Sequence, residues 1–160
     1  MAYTRFEVVI TAIIQKDGKY LITRRPATKK RFPGKWTVPG GHLEPSDFTG
    51  YPKDTEHYWY NVLEKALARE ILEEVGLAIE NVRYVTSLAT EHDGAAASIV
   101  ISCLADHAGG EVKLEEAEND KYAWVDVEES KEYDLLDGIY DEIVMADALR
   151  KGEKYVWKRH

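Results

Sequence analysis

The sequence predicts an α/β fold, a three-layer α/β/α sandwich built around a mixed sheet, and three observations support this prediction. Short runs rich in Val and Ile, separated by turn residues, recur near the N-terminus and again after residue 80, which indicates strands. Two longer segments place apolar residues three or four positions apart, which indicates amphipathic helices. Because the two helices are interspersed with the strands, they are expected to cover the faces of one sheet.

The first part of the chain is predicted to be a β-hairpin followed by a glycine turn. Residues 6–15 are rich in Val and Ile, Asp17-Gly18 is typical of a hairpin turn, and residues 19–24 return as the partner strand. A polar loop then leads to a short strand over residues 36–38. The Pro39-Gly40-Gly41 sequence that follows is predicted to be a turn.

The first helix is predicted over residues 61–75. Asn61 is a suitable N-cap with Glu64 as its capping-box partner, and Gly76 is a typical C-terminal stop. The residues expected on its apolar side are Val62, Ala66, Leu67, Ile71 and Val75.

The second half is predicted to contain three more strands and a second helix. Residues 82–90 and 97–104 read as strands joined through Asp93-Gly94, and residues 121–125 read as another strand. Apolar residues at helical spacing predict the late helix over residues 138–150.

The composition favours one globular domain over residues 1–160. With 44% hydrophobic residues, the chain is long enough to bury a core. No apolar run approaches the roughly 20 residues of a membrane span, so we expect a cytoplasmic protein without a membrane partner. A net charge of −8 argues against binding large nucleic acids through the whole surface. The one cysteine, Cys103, lies in an apolar run and is expected to be buried and inert.

The end of the first helix is the most informative stretch, because three carboxylates crowd one of its faces. At about 100° per residue, Glu73 and Glu74 project within roughly 60° of Glu70. Like charges at this spacing repel, and carboxylates near a helix C-terminus also face the negative end of the helix dipole. A divalent cation would offset both effects, and an oxygen-only ligand set favours Mg²⁺ or Mn²⁺. A glutamate pair alone is more often a solvated helix face, so the identification depends on the wider motif.

The wider motif resembles the signature of the Nudix hydrolase family. Residues 69–77 read REILEEVGL and match the second half of that signature at every fixed position, and residues 39–44 read PGGHLE, like the loop that opens it. The resemblance implies a Nudix-type α/β/α sandwich. It also implies Mg²⁺-dependent hydrolysis, with Mn²⁺ as a substitute, of a diphosphate bond in a nucleoside diphosphate linked to another moiety, such as a nucleoside triphosphate, a nucleotide sugar or a dinucleotide.

The same resemblance implies roles for the helix residues. Glu70 and Glu74 would be ligands of the metal, Glu73 would be a direct or water-mediated ligand, and the carbonyl of Gly40 would add another oxygen. Arg69 would orient the carboxylates, and its forked guanidinium suits that task better than a lysine would.

The spacing of the motif departs from the family pattern. Gly41 and Arg69 are 28 positions apart, whereas the family spacing is 14, so the chain carries about 14 extra residues. Counting eight positions back from Arg69 leads to Asn61, where the family usually has a glutamate. The partner of Arg69 is therefore open.

The general base is predicted to be Glu118, because many family members carry a glutamate about six residues before a Trp-Val strand. Here Glu118 lies six positions before Trp124-Val125. Glu115 and Glu116 are close enough in sequence to be rivals for the role, and a solvated acidic loop is the alternative for all three.

Four residues are candidates for substrate binding. Arg24 ends a strand in the densest basic region and is predicted to hold phosphates, and His42 follows the Gly-Gly turn. The extra residues 45–60 are rich in aromatic side chains, of which Tyr51 and Trp59 are the candidates to stack on a base. Ordinary loop packing is the alternative for each.

Two other functions are open at this point. One is a Nudix-fold domain that binds or senses a nucleotide without cleaving it, which the intact REILEE string disfavours. The other is an enzyme like isopentenyl-diphosphate isomerase, which residues 31–36 faintly resemble, and it would need Cys103 as a catalytic cysteine. The expected partner is a small nucleoside diphosphate derivative, and the sequence leaves a homo-oligomer open.

Overall fold

The computed structural model describes residues 4–160. Its elements, in chain order, are β1 (Phe6–Lys16), β2 (Lys19–Arg24), β3 (Trp36–Thr37), β4 (Gly40–His42), α1 (Ser46–Thr49), α2 (Val62–Val75), β5 (Ala78–Thr90), β6 (Ala97–Gly109), β7 (Lys121–Val125), α3 (Val127–Ser130) and α4 (Ile139–Arg150). Both predicted helices and all the predicted strands are confirmed, with β5 and β6 longer than expected. No helix within residues 4–160 is long and apolar enough to cross a membrane.

The strands form one mixed sheet with β1 near its centre. The order along the sheet is β3-β2-β1-β6-β5, with β4 paired to β1 and β7 paired to β2. β1 runs parallel to β6 on one side. On its other side, β1 pairs first with β4 through Val9 to Thr11 and then with β2 through Gln15 and Lys16. This division of β1 between two partners seats the glycine segment of β4 in the middle of the sheet.

Helices cover both faces of this sheet, which confirms the predicted α/β/α sandwich. On one face, α2 packs its buried Leu67 and Ile71 against Ile10 and the following alternate residues of β1. On the other face, α4 packs Ile143 against Ile13. Because side chains alternate across a strand, neighbouring positions of β1 supply the two cores.

Two predictions about local structure are wrong. Asn61 has left-handed φ and ψ and its side chain makes no capping hydrogen bond, so the expected capping box with Glu64 is absent. Gly40 and Gly41 are not a turn but the start of β4, where pairing with Thr11 and Ile10 holds them extended. The C-terminal stop at Gly76 is confirmed, because its φ is 71° and its amide donates to the Leu72 carbonyl.

Candidate active site

The helix glutamates face a cleft of about 520 Å³ between the end of α2, β4 and the loop before β7. We call this the acidic cleft. The carboxylate residues that line it are Glu44, Glu70, Glu73, Glu74, Glu115 and Glu118. The stripe predicted on α2 is therefore brought together with two glutamates of a loop about 40 positions later in the chain.

Glu74 is a partly buried carboxylate in the wall of the acidic cleft. Burial raises its pKa to about 7, the amide of Gly40 opposes this effect by donating a hydrogen bond of 3.0 Å, and the charges of Glu118 and Glu70 raise the pKa further. A carboxylate so placed is stabilised in its charged form by a cation. The electrostatics of the site therefore fit a divalent metal ion.

The two glycines of β4 allow the carboxylates to lie against the backbone. A Cβ atom at Gly40 would lie 2.3 Å from the Ile10 carbonyl oxygen, and one at Gly41 would lie 2.1 Å from the carboxyl carbon of Glu70. Residues with side chains would push β4 off β1 or push Glu70 out of the cleft. The glycines therefore form, with Glu70 and Glu74, a close-fitting oxygen-lined cradle.

Arg69 pairs with Asp47, a residue that counting back along the chain from the helix did not identify. Its guanidinium makes a forked ion pair with the buried carboxylate of Asp47, through Nε at 2.5 Å and Nη2 at 3.1 Å. The hydrogen bond from Arg69 and the amide of Glu44 hold the pKa of Asp47 below its usual value, and Asp47 in turn raises the pKa of Arg69.

The position of Asp47 also shows where in the sequence the extra residues begin. Counting six positions forward from Gly41 leads to Asp47, the place where the family signature has its first glutamate. The extra residues therefore follow Asp47, and the assignment of Asn61 to that place, obtained by counting backwards, is wrong. Counting from the loop as well as from the helix would have found Asp47.

Arg69 also contacts two carboxylates of the stripe. Its Nη2 lies 3.0 Å from Glu70, and its Nη1 lies 3.1 Å from Glu73. Among residues 4–160, no group of three Asp, Glu, His or Cys side chains lies close enough together to hold a metal ion in this conformation. The guanidinium thus lies between Asp47 and the stripe, where it orients the carboxylates.

The loop before β7 places two of the three candidate bases in the acidic cleft. Glu115 and Glu118 line the cleft, whereas Glu116 does not. The amide of Glu115 donates to the Glu74 carbonyl at 2.8 Å, which ties this loop to the end of α2. Glu118 forms an ion pair of 2.7 Å with Lys29.

The basic residues that line the cleft do not include Arg24, the candidate that the sequence favoured. Arg24 makes a forked ion pair with Asp120, at 2.7 and 2.8 Å, and does not line the cleft, so its phosphate-binding role stays a prediction. Arg25 and Lys29 line the cleft instead. The bidentate pairing with Asp120 occupies the fork of Arg24, which explains the difference.

Of the remaining candidates, His42 lines the cleft, whereas Tyr51, Trp59 and Cys103 do not. His42 lines the cleft with a largely exposed ring. Tyr51 and Trp59 are not lining residues, because the extra segment packs on itself: Trp59 donates to the Tyr51 carbonyl at 2.8 Å and its ring lies 5.3 Å from that of Phe48. Cys103 is buried in the core under α2 and burial raises its pKa to about 11, so the isomerase reading lacks its cysteine.

A model of the NUDIX domain matches residues 4–145 of the chain. The chain belongs to the Nudix family. It is 32% identical over 143 residues to the nucleoside triphosphatase NudI of Klebsiella pneumoniae (strain 342), a match that covers 82% of this chain and 89% of that protein. As a Nudix hydrolase, it is an enzyme that acts on phosphorus-containing anhydrides, and members of the family generally use a divalent metal.

Solved Nudix structures share the fold. A MutT NUDIX hydrolase from Burkholderia pseudomallei has a TM-score of 0.69 at 21% identity, covering 88% of this chain and 98% of that one. The NUDIX domain of Shewanella oneidensis NrtR, complexed with ADP ribose, has a TM-score of 0.63 at 15% identity, covering 94% of this chain and 90% of that one.

Proposed function

We propose that this Nudix hydrolase cleaves the diphosphate linkage of nucleoside triphosphates with Mg²⁺, and that the acidic cleft is its active site. The observation that carries the proposal is the position of Glu74, whose partly buried carboxylate lies beside Glu70 against the two glycines of β4. Nucleoside triphosphates are favoured among nucleoside diphosphate derivatives by the likeness to NudI. The cytoplasmic location remains the prediction made from the sequence.

The residues that would hold Mg²⁺ are Glu70, Glu73, Glu74 and the carbonyl of Gly40. Their all-oxygen donor set and the raised pKa of Glu74 fit a hard divalent cation. When bound, such an ion neutralises phosphate charge and lowers the pKa of water. Mn²⁺ has the same ligand preferences and is expected to substitute.

The protein's own side chains supply the remaining tasks. Glu118, whose carboxylate Lys29 holds at 2.7 Å, is positioned to accept a proton from the attacking water, and Glu115 is the alternative base. Arg25 lines the cleft without a carboxylate partner among residues 4–160 and is the cation available to the substrate's phosphates, whereas Lys29 is tied to Glu118. Arg69 acts through Glu70 and Glu73, so it is a positioning residue.

The experiment that tests this function is a panel of nucleoside triphosphates, nucleotide sugars, dinucleoside polyphosphates and NADH, with products identified by mass. Each substrate is assayed with Mg²⁺, with Mn²⁺ and with EDTA. We expect triphosphates to be cleaved with either metal and EDTA to abolish turnover. Turnover that persists in EDTA would refute the metal assignment, and selective cleavage of another class would refute the substrate assignment.

The stacking role predicted for Tyr51 and Trp59 is tested separately. Because these residues pack within the extra segment, we expect Trp59→Ala to lower the melting temperature and leave KM unchanged. A raised KM at unchanged stability would restore the stacking hypothesis.

A further inference from the structure

The loop between β2 and β3, residues 25–35, is tied to the loop between β5 and β6, residues 91–96. The guanidinium of Arg31, in the first loop, contacts Nδ1 of His92, in the second. We call this contact the Arg31–His92 anchor. Because β2 and β3 lie on one side of β1 and β5 and β6 lie on the other, the anchor bridges the two halves of the sheet.

A chain of hydrogen bonds holds the other side of the His92 ring. Its Nε2 lies 2.8 Å from the hydroxyl of Ser98, a β6 residue that is 3% exposed, and that hydroxyl donates to Glu7 of β1 at 3.1 Å. A guanidinium can only donate, so Nδ1 of His92 accepts from Arg31. The ring proton is therefore on Nε2, and the anchor requires an uncharged imidazole.

The anchored loop carries the cation that the acidic cleft offers to phosphates. Arg25 lines the cleft, and its Nε donates to the carbonyl of Arg31 at 2.9 Å. The backbone of Arg25 is held as well, because its amide donates to the Lys35 carbonyl and its carbonyl accepts from the Gly34 amide, both at 2.9 Å. With its backbone fixed and its Nε bound to that carbonyl, the Arg25 side chain takes its direction from the position of Arg31.

The other basic residue that this loop places in the cleft is held by a different contact. Lys29 is bound directly to Glu118 at 2.7 Å. The link from the anchor to the cleft therefore runs to Arg25 rather than to the candidate base. Loss of the anchor is expected to affect substrate binding more than the chemical step.

We propose that Arg31 and His92 are positioning residues, which hold Arg25 where it binds the phosphates of the substrate. The inference rests on the proposed function, because that function gives Arg25 its phosphate-binding role. Neither Arg31 nor His92 lines the acidic cleft, so both act through Arg25 and not by contact with the substrate.

The anchor also makes substrate binding sensitive to the charge of His92. Besides Arg31, the titratable groups around its ring belong to β1, to β4 and to its own loop. They are Glu7, which is reached through Ser98, His42, which lies 3.6 Å from Glu7, and the chain neighbours Glu91 and Asp93. A protonated imidazole has no acceptor for Arg31 and repels its charge, and histidine side chains change charge between pH 5 and 8. Acid is therefore expected to release the anchor.

The first test compares wild type with His92→Phe and Arg31→Ala on the triphosphate that the substrate panel identifies. His92→Phe keeps a ring without its nitrogens, and Arg31→Ala removes the guanidinium but keeps the carbonyl to which Arg25 donates. The net contribution of one hydrogen bond corresponds to about 2- to 12-fold, so we expect KM to rise by that factor in both variants with little change in kcat.

Lys30→Ala is the matched control, because it removes one positive charge from an exposed neighbour that does not line the cleft. It should leave KM unchanged. An unchanged KM in His92→Phe and Arg31→Ala, or an equal rise in Lys30→Ala, would overturn the proposal.

A pH series with His92→Gln separates positioning from a merely structural role. Glutamine offers an acceptor and a donor but does not change charge, so this variant should keep the wild-type KM at pH 8. The KM of wild type, divided by that of His92→Gln, should rise as the pH falls to 5. A ratio that does not change with pH would refute the role of the imidazole.

A double variant tests whether the effect passes through Arg25. In the Arg25→Ala background, His92→Phe should add no further rise in KM, because the side chain that it positions is already gone. A full additional rise would show that His92 acts elsewhere.

Binding of inorganic triphosphate with Mg²⁺, measured by calorimetry, separates failure of the inference from failure of the proposed function. If no nucleotide is cleaved but His92→Phe weakens this binding and Lys30→Ala does not, the hydrolytic proposal fails and the anchor stands. If nucleotides are cleaved and wild type and His92→Phe bind triphosphate equally, the anchor is overturned and the hydrolase stands.

Discussion

Replacing Asp47 by Asn tests the link between the extra segment and the active site. The change removes the charge that faces the forked guanidinium of Arg69 while keeping the size of the side chain. Breaking a fully buried ion pair costs about 3–5 kcal/mol. Because the Arg69 side chain is 33% exposed, solvent screening lowers this, and we expect a loss of about 2 kcal/mol.

That loss corresponds to a melting temperature about 4–8 °C lower for a domain of this size. Activity should fall as well, because Arg69 without Asp47 is free to pair more closely with Glu70 and Glu73. We therefore expect the Mg²⁺ concentration at half-maximal activity to rise. Glu56→Gln, a change of an exposed carboxylate in the same segment, is the control and should alter neither property.

The pH dependence gives the refuting measurement. The pKa of Asp47 is lowered in the folded state, so its stabilising contribution is present above the unfolded pKa of about 3.9 and is lost as pH falls through the folded value. The stability difference between wild type and Asp47→Asn should therefore be complete near neutral pH and shrink in acid. A difference that is absent at neutral pH, or independent of pH, would show that the ion pair does not stabilise the fold.

Three further predictions concern the acidic cleft. Glu74→Gln should abolish most metal-dependent turnover. Because the folded pKa of Glu74 is raised to about 7, wild type without metal should lose stability as the pH rises from about 4.5 to 7. Thermal melts of the Gln variant should not show that loss. Glu118→Gln should lower kcat by about 10²–10⁴ with little change in KM, and the same result for Glu115→Gln instead would transfer the role of base. Arg25→Ala should raise KM in steady-state assays, whereas Arg24→Ala should not, and the reverse outcome would restore Arg24 to the site.

The sequence predicted the parts of the site that lie within one element. The stripe of Glu70, Glu73 and Glu74 follows from helical spacing, and the end of α2 follows from the left-handed conformation that Gly76 adopts readily. The hairpin at Asp17-Gly18 was predictable for the same reason, because both residues have positive φ. These features depend on the conformations of neighbouring residues.

Prediction was less successful where two segments meet. The identity of the available cleft cation depended on which basic side chains were already paired: Asp120 pairs with Arg24 and Glu118 pairs with Lys29, which leaves Arg25. The partner of Arg69 depended on how the extra segment folds back after Asp47. Spacing along the chain carries no information on such competition, because the distances involved are set by loop paths.

The sequence by itself determined the chemistry of this protein: the oxygen ligands, the arginine beside them and the apolar patterns of a two-faced sheet. The tertiary structure decided their environment. Pairing of β4 with β1 leaves no room for a side chain at Gly40, and burial at that junction raises the pKa of Glu74. Solvent exclusion and sheet register arise from contacts between distant segments, and they exist only once the chain has packed.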